Sequence, residues 1–176
     1  MTHPASAPSF ETSRLAAAHA AGCRAIRLAA LRDAPAVFGT TCDTQAGLRL
    51  AAFVQRLDGA IAFGAYVGGA LAGMAGFKRP DGAKGRHRGV RGACSSRPPR
   101  GGPASARRCS MRRSRPRRGQ PGRWRSPPST AAVRRAFCER HGFVAYGVEP
   151  RALDAANGCA DALPMVKFPP LAPPHA

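Results

Sequence analysis

The residues of this chain best suited to contact a phosphate lie in its middle, in a run of arginines, glycines and prolines. Residues 97–108 read RPPRGGPASARR, and backbone N–H groups of a glycine-rich turn that opens a helix can bind a phosphate anion. On its own this run is a weak signal for a phosphate-binding loop, and its composition favours low-complexity sequence instead. The six cysteines and five histidines are scattered without metal-ligand spacing, so no metal site is predicted.

The positive charge of the chain is concentrated around that run. The 176 residues carry a formal net charge of +19, and residues 84–130 hold 15 Lys or Arg and no Asp or Glu. The rest of the chain has 13 basic and nine acidic residues, a net of +4. Residues 84–130 contain no Leu, Ile, Phe or Tyr, and their only large apolar side chains are Val90, Met111 and Trp124. This composition predicts that the segment forms neither a core strand nor an amphipathic helix.

Length and apolar patterning limit the class of protein. A chain of 176 residues has room for one domain with a substantial core. It has no run of about 18 apolar residues that could span a bilayer. Its first residues, MTHPASAPSFETSR, lack the basic and then apolar stretches of a secretory signal. We therefore expect a cytoplasmic protein with no membrane partner and no disulfide framework.

Outside the basic segment the sequence has the periodicity of helices and strands. It predicts, in chain order, one or two helices over 11–31, a helix over 46–59, two strands over 60–77, a helix over 131–142 and strands over 143–148 and 162–168. Gly68 and Gly69 predict a tight turn between the first two strands, and Gly142 predicts the end of a helix. Residues 1–10 and 169–176 are predicted to be disordered.

Four pieces of the chain resemble the GNAT family of acetyl-CoA-dependent N-acetyltransferases. CRAIRLAALRDAPAVFGTT resembles the family's first helical pair, and GAYVGGALAGMAGF resembles its second and third strands. RRAFCERHGFVAYGVEPRAL is similar to the signature FYERxGF and the aromatic-rich strand after it, and ADALPMVKF resembles the closing strand. FCERHGF is the most specific of these. The resemblance implies an α/β (α+β) fold, with a mixed, mainly antiparallel sheet flanked by helices and a disrupted central region.

The resemblance also divides the chain. The expected segments are a disordered N-terminus (1–10), the N-terminal part of a GNAT-like domain (11–84), a basic low-complexity segment (85–130), the C-terminal part of the domain (131–168) and a disordered tail (169–176). The family's central motif, V-x-P-x-x-R-G-x-G-x-G/A, should follow the third strand. It is missing here, and residues 85–130 stand in its place.

One explanation for the missing motif is that residues 85–130 are translated in the wrong reading frame. Consider a frame in which each codon starts on the third base of a codon of the printed sequence, here called the written sequence. The middle base of each shifted codon is then the first base of the codon for the next written residue. Cys, Trp and most Ser codons begin with T, and a codon with T in the middle encodes a hydrophobic residue. In the shifted frame Cys94–Ser96 therefore become an apolar triplet, and Trp124 and Ser126 become apolar residues two apart. Around RPPRGGPASA the shifted codons allow V-x-P-x-x-R-G-x-G-V-G, and RRCS gives a pair of large apolar residues. The alternative is a natural basic insert encoded by GC-rich DNA.

The resemblance implies roles for only a few site residues. In the family the glycine-rich turn binds the pyrophosphate of coenzyme A, and Arg100, Gly101 and Gly102 are a remnant of that turn. Pro103 after them has no N–H to donate. Cys138 stands where the family signature has Tyr, which often protonates the leaving thiolate, and a thiol is a feeble substitute for this role.

The implied activity is transfer of an acetyl group from the co-substrate acetyl-CoA to an amine, on a small molecule, a protein N-terminus or a lysine. Because no acidic residue lies between Asp81 and Glu139, the family's carboxylate base on the fourth strand is missing, and we expect impaired activity. A second hypothesis is a nonspecific nucleic-acid-binding protein that uses the arginine-rich segment 86–125. Trp124 is the only aromatic residue there for base stacking, which disfavours this hypothesis. Nonspecific binding to other polyanions is expected in either case.

Overall fold

The described part of the chain is a mixed sheet with helices packed against it. The computed structural model describes residues 11–80, 82–85, 87–96, 123–126, 132–155 and 158–168. The strands are β1 (Glu11–Leu15), β2 (Ile61–Val67), β3 (Ala70–Lys78), β4 (Arg88–Ser96), β5 (Arg123–Ser126), β6 (Val144–Ala145), β7 (Glu149–Ala155), β8 (Gly158–Ala162) and β9 (Met165–Lys167). The α-helices are α1 (Ala20–Asp33), α2 (Cys42–Ala46), α3 (Leu50–Asp58) and α4 (Ala132–Glu139).

The strand order confirms the predicted fold class. Seven strands form one sheet in the order β1-β2-β3-β4-β5-β9-β6, and β7 and β8 form a separate two-stranded sheet. Within the seven-stranded sheet β4 and β5 are parallel, and the other neighbouring pairs are antiparallel. The sheet is therefore mixed and mainly antiparallel, as expected.

The β2–β3 hairpin confirms the turn prediction. Gly68 and Gly69 have φ of 54° and 74°, and Val67 pairs with Ala70 across them. Two consecutive residues with positive φ match the twist of the flanking strands, and glycine adopts this conformation without steric cost. The predicted helix over 46–59 is confirmed as α3.

The prediction of helix from residue 11 is wrong at its start, because residues 11–15 form β1. This strand pairs antiparallel with β2, with Leu15 opposite Ala62, and Leu15 is 1% exposed. The alanines at 16–18 extend the helical appearance of the sequence backwards. Pairing with a strand almost 50 residues away overrides that local preference.

Two strands within the basic segment lie at the centre of the sheet, so the prediction that residues 84–130 form no core strand is wrong at β4 and β5. β4 pairs with β3, and β5 lies between β4 and β9. Trp124 of β5 is 7% exposed and packs edge-to-face on Phe77, with ring centroids 5.5 Å apart. Backbone pairing with apolar neighbouring strands thus places this polar sequence in the sheet.

The C-terminal part has one hairpin that the sequence pattern does not predict. Gly142 has φ of 76° just after α4, as expected for the end of a helix. The predicted strand over 143–148 is shorter, since only Val144–Ala145 form β6. β7 and β8 contain no Val, Ile or Thr, so propensity gives no strand signal for them.

The remaining sequence predictions concern membrane helices, disulfides, metal sites and the two termini. No helix in the described ranges is long and apolar enough to cross a membrane. Four described cysteines have free thiols, namely Cys23, Cys42, Cys138 and Cys159. No cluster of metal-ligating side chains occurs among the described residues. The termini predicted to be disordered, 1–10 and 169–176, lie outside the description.

Candidate active site

Among the described residues, the two parallel strands at the centre of the sheet pair at one end only. Arg88–Val90 of β4 lie opposite Arg123–Arg125 of β5. β4 then continues to Ser96, and no described residue of β5 pairs with it beyond Val90. Within the described ranges, the β5-facing edge of β4 over residues 91–96 therefore borders a gap. Such an edge can bind an extended ligand through its backbone amides, as an added strand would.

A β-bulge lies in β4 just past the last paired residue. Ala75 of β3 is opposite Cys94, and Phe77 is opposite Arg91, so two β4 residues oppose one residue of β3. A Cβ on Gly92, one of the two bulged residues, would lie 3.4 Å from the carbonyl oxygen of Gly76. A bulge bends its strand and redirects backbone groups, and bulges are common next to active sites.

Arg91 is a buried cation beside this gap, with 2% of its surface exposed. One terminal nitrogen donates to the Sγ of Cys138 at 2.7 Å and to the Oγ of Ser126 at 3.5 Å. Its guanidinium carbon lies 4.6 Å from the ring centre of Phe143 and 5.3 Å from that of Phe137. The Nε and Nη1 atoms are buried without a hydrogen-bond partner. No carboxylate among the described residues pairs with this charge.

Lys167 is a second cation near Arg91 and adds to the uncompensated positive charge there. Lys167 of β9 donates from Nζ to the carbonyl oxygen of His141 at 2.7 Å. Burial, together with the positive charge of Arg91, lowers the pKa of Lys167. A lowered pKa is expected for a lysine that is partly removed from water and lies in a positive electrostatic potential.

The predicted site residues have different positions relative to the gap. Cys138 is fully buried in α4, and its Sγ lies 3.6 Å from the Oγ of Ser126. The thiol thus lies beside both β4 and β5, and its role as proton donor stays a prediction. Arg100, Gly101 and Gly102 lie outside the described residues. Sequence reasoning missed Arg91, because no pattern around it indicates burial.

Three positions that the shifted reading frame would make apolar are buried. Ser95 is 2%, Ser126 3% and Trp124 7% exposed. The Oγ of Ser95 has no hydrogen-bond partner. A buried hydroxyl without a partner costs folding free energy, so Ser95 occupies a position that an apolar side chain suits better.

We expect Ser95→Val to raise the free energy of unfolding by about 1–2 kcal/mol, because it removes a buried unpaired hydroxyl and adds apolar contact. Urea unfolding followed by circular dichroism measures the change. Ser13→Val is the matched control at an exposed position of β1, and should change stability by less than about 0.5 kcal/mol. A loss of stability for Ser95→Val alone would show that the site has no room for a branched side chain.

Several solved structures with this architecture are acetyltransferases of low sequence identity to this chain. A GNAT-family acetyltransferase from Streptococcus pneumoniae has a TM-score of 0.72 and 17% identity, over 91% of this chain and 99% of that one. The ribosomal-protein-S18-alanine N-acetyltransferase of Escherichia coli has 0.68 and 12%, over 96% and 99%. A Salmonella typhimurium protein assigned as an acetyltransferase, solved with its cofactor acetyl-CoA, has 0.72 and 18%, over 96% and 99%. No protein-family model and no curated protein matches the chain.

These similarities define the class of fold. The chain has the GNAT N-acetyltransferase fold, as its sequence resemblance implied. Identities of 12–18% establish the fold and leave the chemistry to be argued from the site.

Proposed function

We propose that this chain derives from a cytoplasmic N-acetyltransferase that transfers an acetyl group from acetyl-CoA to an amine, and that residues 85–130 impair its activity. The observation that carries the proposal is that, among the described residues, β4 and β5 pair only as far as Val90, and that the bulge in β4 follows directly. This supports the proposal, because an acyl donor and an amine can meet in a GNAT fold at an open strand edge between two parallel strands.

The residues around the gap fit part of the co-substrate. Acetyl-CoA supplies an activated acyl group on a flexible chain that contains amides. The edge of β4 over residues 91–96 can exchange backbone hydrogen bonds with those amides. The remnant turn Arg100–Gly102 would face the pyrophosphate, with fewer N–H donors than an intact turn because Pro103 donates none.

The chain has only weak candidates for the general base and the proton donor that acetyl transfer requires. A neutral attacking amine must lose a proton, and the sequence has no Asp or Glu on β4 or β5 to accept it. Cys138 is the proposed donor to the leaving thiolate, but its Sγ accepts a hydrogen bond from Arg91 inside the core. Acceptors of the proposed class are amines of small molecules, protein N-termini or lysines.

We also propose that the impairment comes from a shifted reading frame between residues 85 and 130. The burial of Ser95 and Ser126 supports this, because these are positions where the shifted frame would place apolar side chains. The unpaired nitrogens of Arg91 support it further, since a cation without an anionic partner is costly in a core. A natural basic insert gives no physical reason for Ser side chains to occupy buried positions.

The nucleic-acid-binding alternative rests on residues 86–125, most of which lie outside the described ranges. Its binding would be electrostatic, and would therefore weaken steeply with salt. Arg123 and Arg125 already stack on Tyr146, at 5.4 and 5.7 Å from its ring centre. No observation favours this alternative over the acetyltransferase.

Calorimetric titration with acetyl-CoA at about 0.5 M salt tests the proposal, because attraction to the net charge is then screened within a few ångström. We expect the written chain to bind weakly, with no saturation below about 1 mM, the upper end of usual substrate affinities. Saturable micromolar binding of acetyl-CoA together with amine acetylation would contradict the proposal that residues 85–130 impair the activity. Strong binding of DNA of any sequence at low salt, lost in high salt, is expected from the charge alone and is the control.

A further inference from the structure

A cavity of 590 Å³ lies on the helical face of the sheet, between α1, α3 and strands β2 to β4. Much of its wall is apolar, including Phe53, Ala62 and Met74. The bulged residue Gly92 of β4 is part of the wall. The cavity therefore reaches β4 at the place where pairing with β5 has ended, and its volume suits a small organic ligand.

The charged groups that line the cavity are all positive. Arg27 of α1, Arg56 of α3 and Lys78 of β3 belong to its wall. Among the residues that the structure describes, no Asp or Glu lines it. An apolar cavity with a few cations and no carboxylate favours a ligand that has an apolar body and an anionic group.

Arg27 is the best placed of these cations. Its guanidinium carbon lies 4.3 Å from the ring centre of Phe38, so the aromatic ring holds the group in position. Within the described ranges the guanidinium makes no ion pair and no hydrogen bond to protein. Burial lowers the pKa of Arg27 to about 10, and the positive charges of Arg134 and Arg56 add to this effect. A bound anion would relieve that repulsion.

Arg56 is held beside Arg27 by a buried amide. Its Nη1 donates to the Oε1 of Gln45 at 2.7 Å, and the Nε2 of Gln45 donates to the Oγ1 of Thr40 at 3.3 Å. Gln45 is 7% exposed. One of the five guanidinium N–H groups of Arg56 is used in this way, and the others can serve a ligand.

We propose that Arg27 and Arg56 bind a carboxylate of the acceptor, so that the acceptor is an amino acid or a similar amine that carries a carboxylate. A planar carboxylate accepts two parallel hydrogen bonds from a guanidinium, which gives orientation as well as affinity. This inference rests on the proposed function only in treating the bound amine as the acceptor of the acetyl group. The carboxylate site itself is defined by the cavity and its cations alone.

Matched pairs of amines with and without a carboxylate test the site. Calorimetry on the full chain without acetyl-CoA, at about 0.15 M ionic strength, would compare L-phenylalanine with phenethylamine and L-leucine with isopentylamine. We expect at least one amino acid to bind about tenfold or more tightly than its decarboxylated partner, as charge-assisted hydrogen bonds of this kind provide. Because no acetyl-CoA is present, the result does not depend on the proposed activity.

Three variants assign that binding to the cavity. Arg27→Gln should remove the preference for the carboxylate, and Arg27→Lys should keep only part of it because the fork geometry is lost. Arg14→Gln, on the exposed side of β1, removes the same charge and should leave the preference unchanged. Circular dichroism checks that each variant folds. Equal binding within both amine pairs, or an unchanged preference in folded Arg27→Gln, would overturn the carboxylate site.

Discussion

A chain whose residues 85–130 are translated in the shifted frame is expected to bind acetyl-CoA at micromolar concentration and to acetylate amines. The shifted frame puts apolar side chains at the buried positions of Ser95 and Ser126, each worth about 1.5–3 kcal/mol when buried. It also allows the complete glycine-rich motif, whose backbone N–H groups bind a pyrophosphate. The free energy of unfolding should therefore rise by about 3–6 kcal/mol, with a sharp cooperative transition.

Titration with acetyl-CoA and thermal unfolding of both chains measure these effects. The matched control translates residues 85–130 in the remaining frame, which keeps the length and nucleotide composition. That control should neither gain stability nor bind acetyl-CoA. If the shifted-frame chain is no more stable than the written one and does not bind acetyl-CoA, the reading-frame proposal and the acetyltransferase assignment both fail.

We expect Arg91→Met to raise the free energy of unfolding of the written chain by about 1–4 kcal/mol, the range seen when well-packed apolar residues replace buried charges. Methionine has a similar length and fits the aromatic surroundings of Phe137 and Phe143. The substitution removes two buried nitrogens that have no hydrogen-bond partner. It also removes the positive charge that acts on Lys167. Urea unfolding followed by circular dichroism gives the change.

Arg14→Met is the control for the loss of an arginine charge. Arg14 is exposed on β1, so its replacement should change stability by less than about 0.5 kcal/mol. The opposite outcome for Arg91 is a loss of about 3–5 kcal/mol, as when one partner of a buried charged pair is removed. Such a loss would mean that the guanidinium stabilises this core and is native to it.

The parts of the fold that the sequence predicts well are those with local signals. Gly68–Gly69 define the β2–β3 turn, and Gly142 marks the end of α4, because both need positive φ. The amphipathic spacing of α3 is visible over nine residues. The signature FCERHGF identifies α4 and places Cys138 on it, although not its depth in the core.

The parts that the sequence does not predict depend on partners far along the chain. β1 is a strand because β2 supplies a neighbour for Leu15, while its own residues give little strand signal. β4 has the sequence RGVRGACSS, with none of the regular apolar alternation of a core strand. Its position is fixed by hydrogen bonds to β3 and β5. The burial of Arg91 follows from that position and could not be inferred beforehand.

The candidate carboxylate site cannot be predicted from the sequence, for a similar reason. Arg27 and Arg56 are ordinary helix residues in the sequence, and nothing in their spacing links them. Their proximity comes from packing of α1 against α3 over the sheet. The pair is a site only because that packing leaves a cavity beside the bulge in β4.

The nucleotide sequence across codons 85–131 tests the central claim most directly. The account predicts that the frame starting on the third base of each written codon is open there, and encodes V-x-P-x-x-R-G-x-G-V-G around the written RPPRGGPASA. It further predicts apolar codons at positions 94–96, 124 and 126. A stop codon in that frame, or polar codons at those positions, would contradict it and leave a natural basic insert in an acetyltransferase fold.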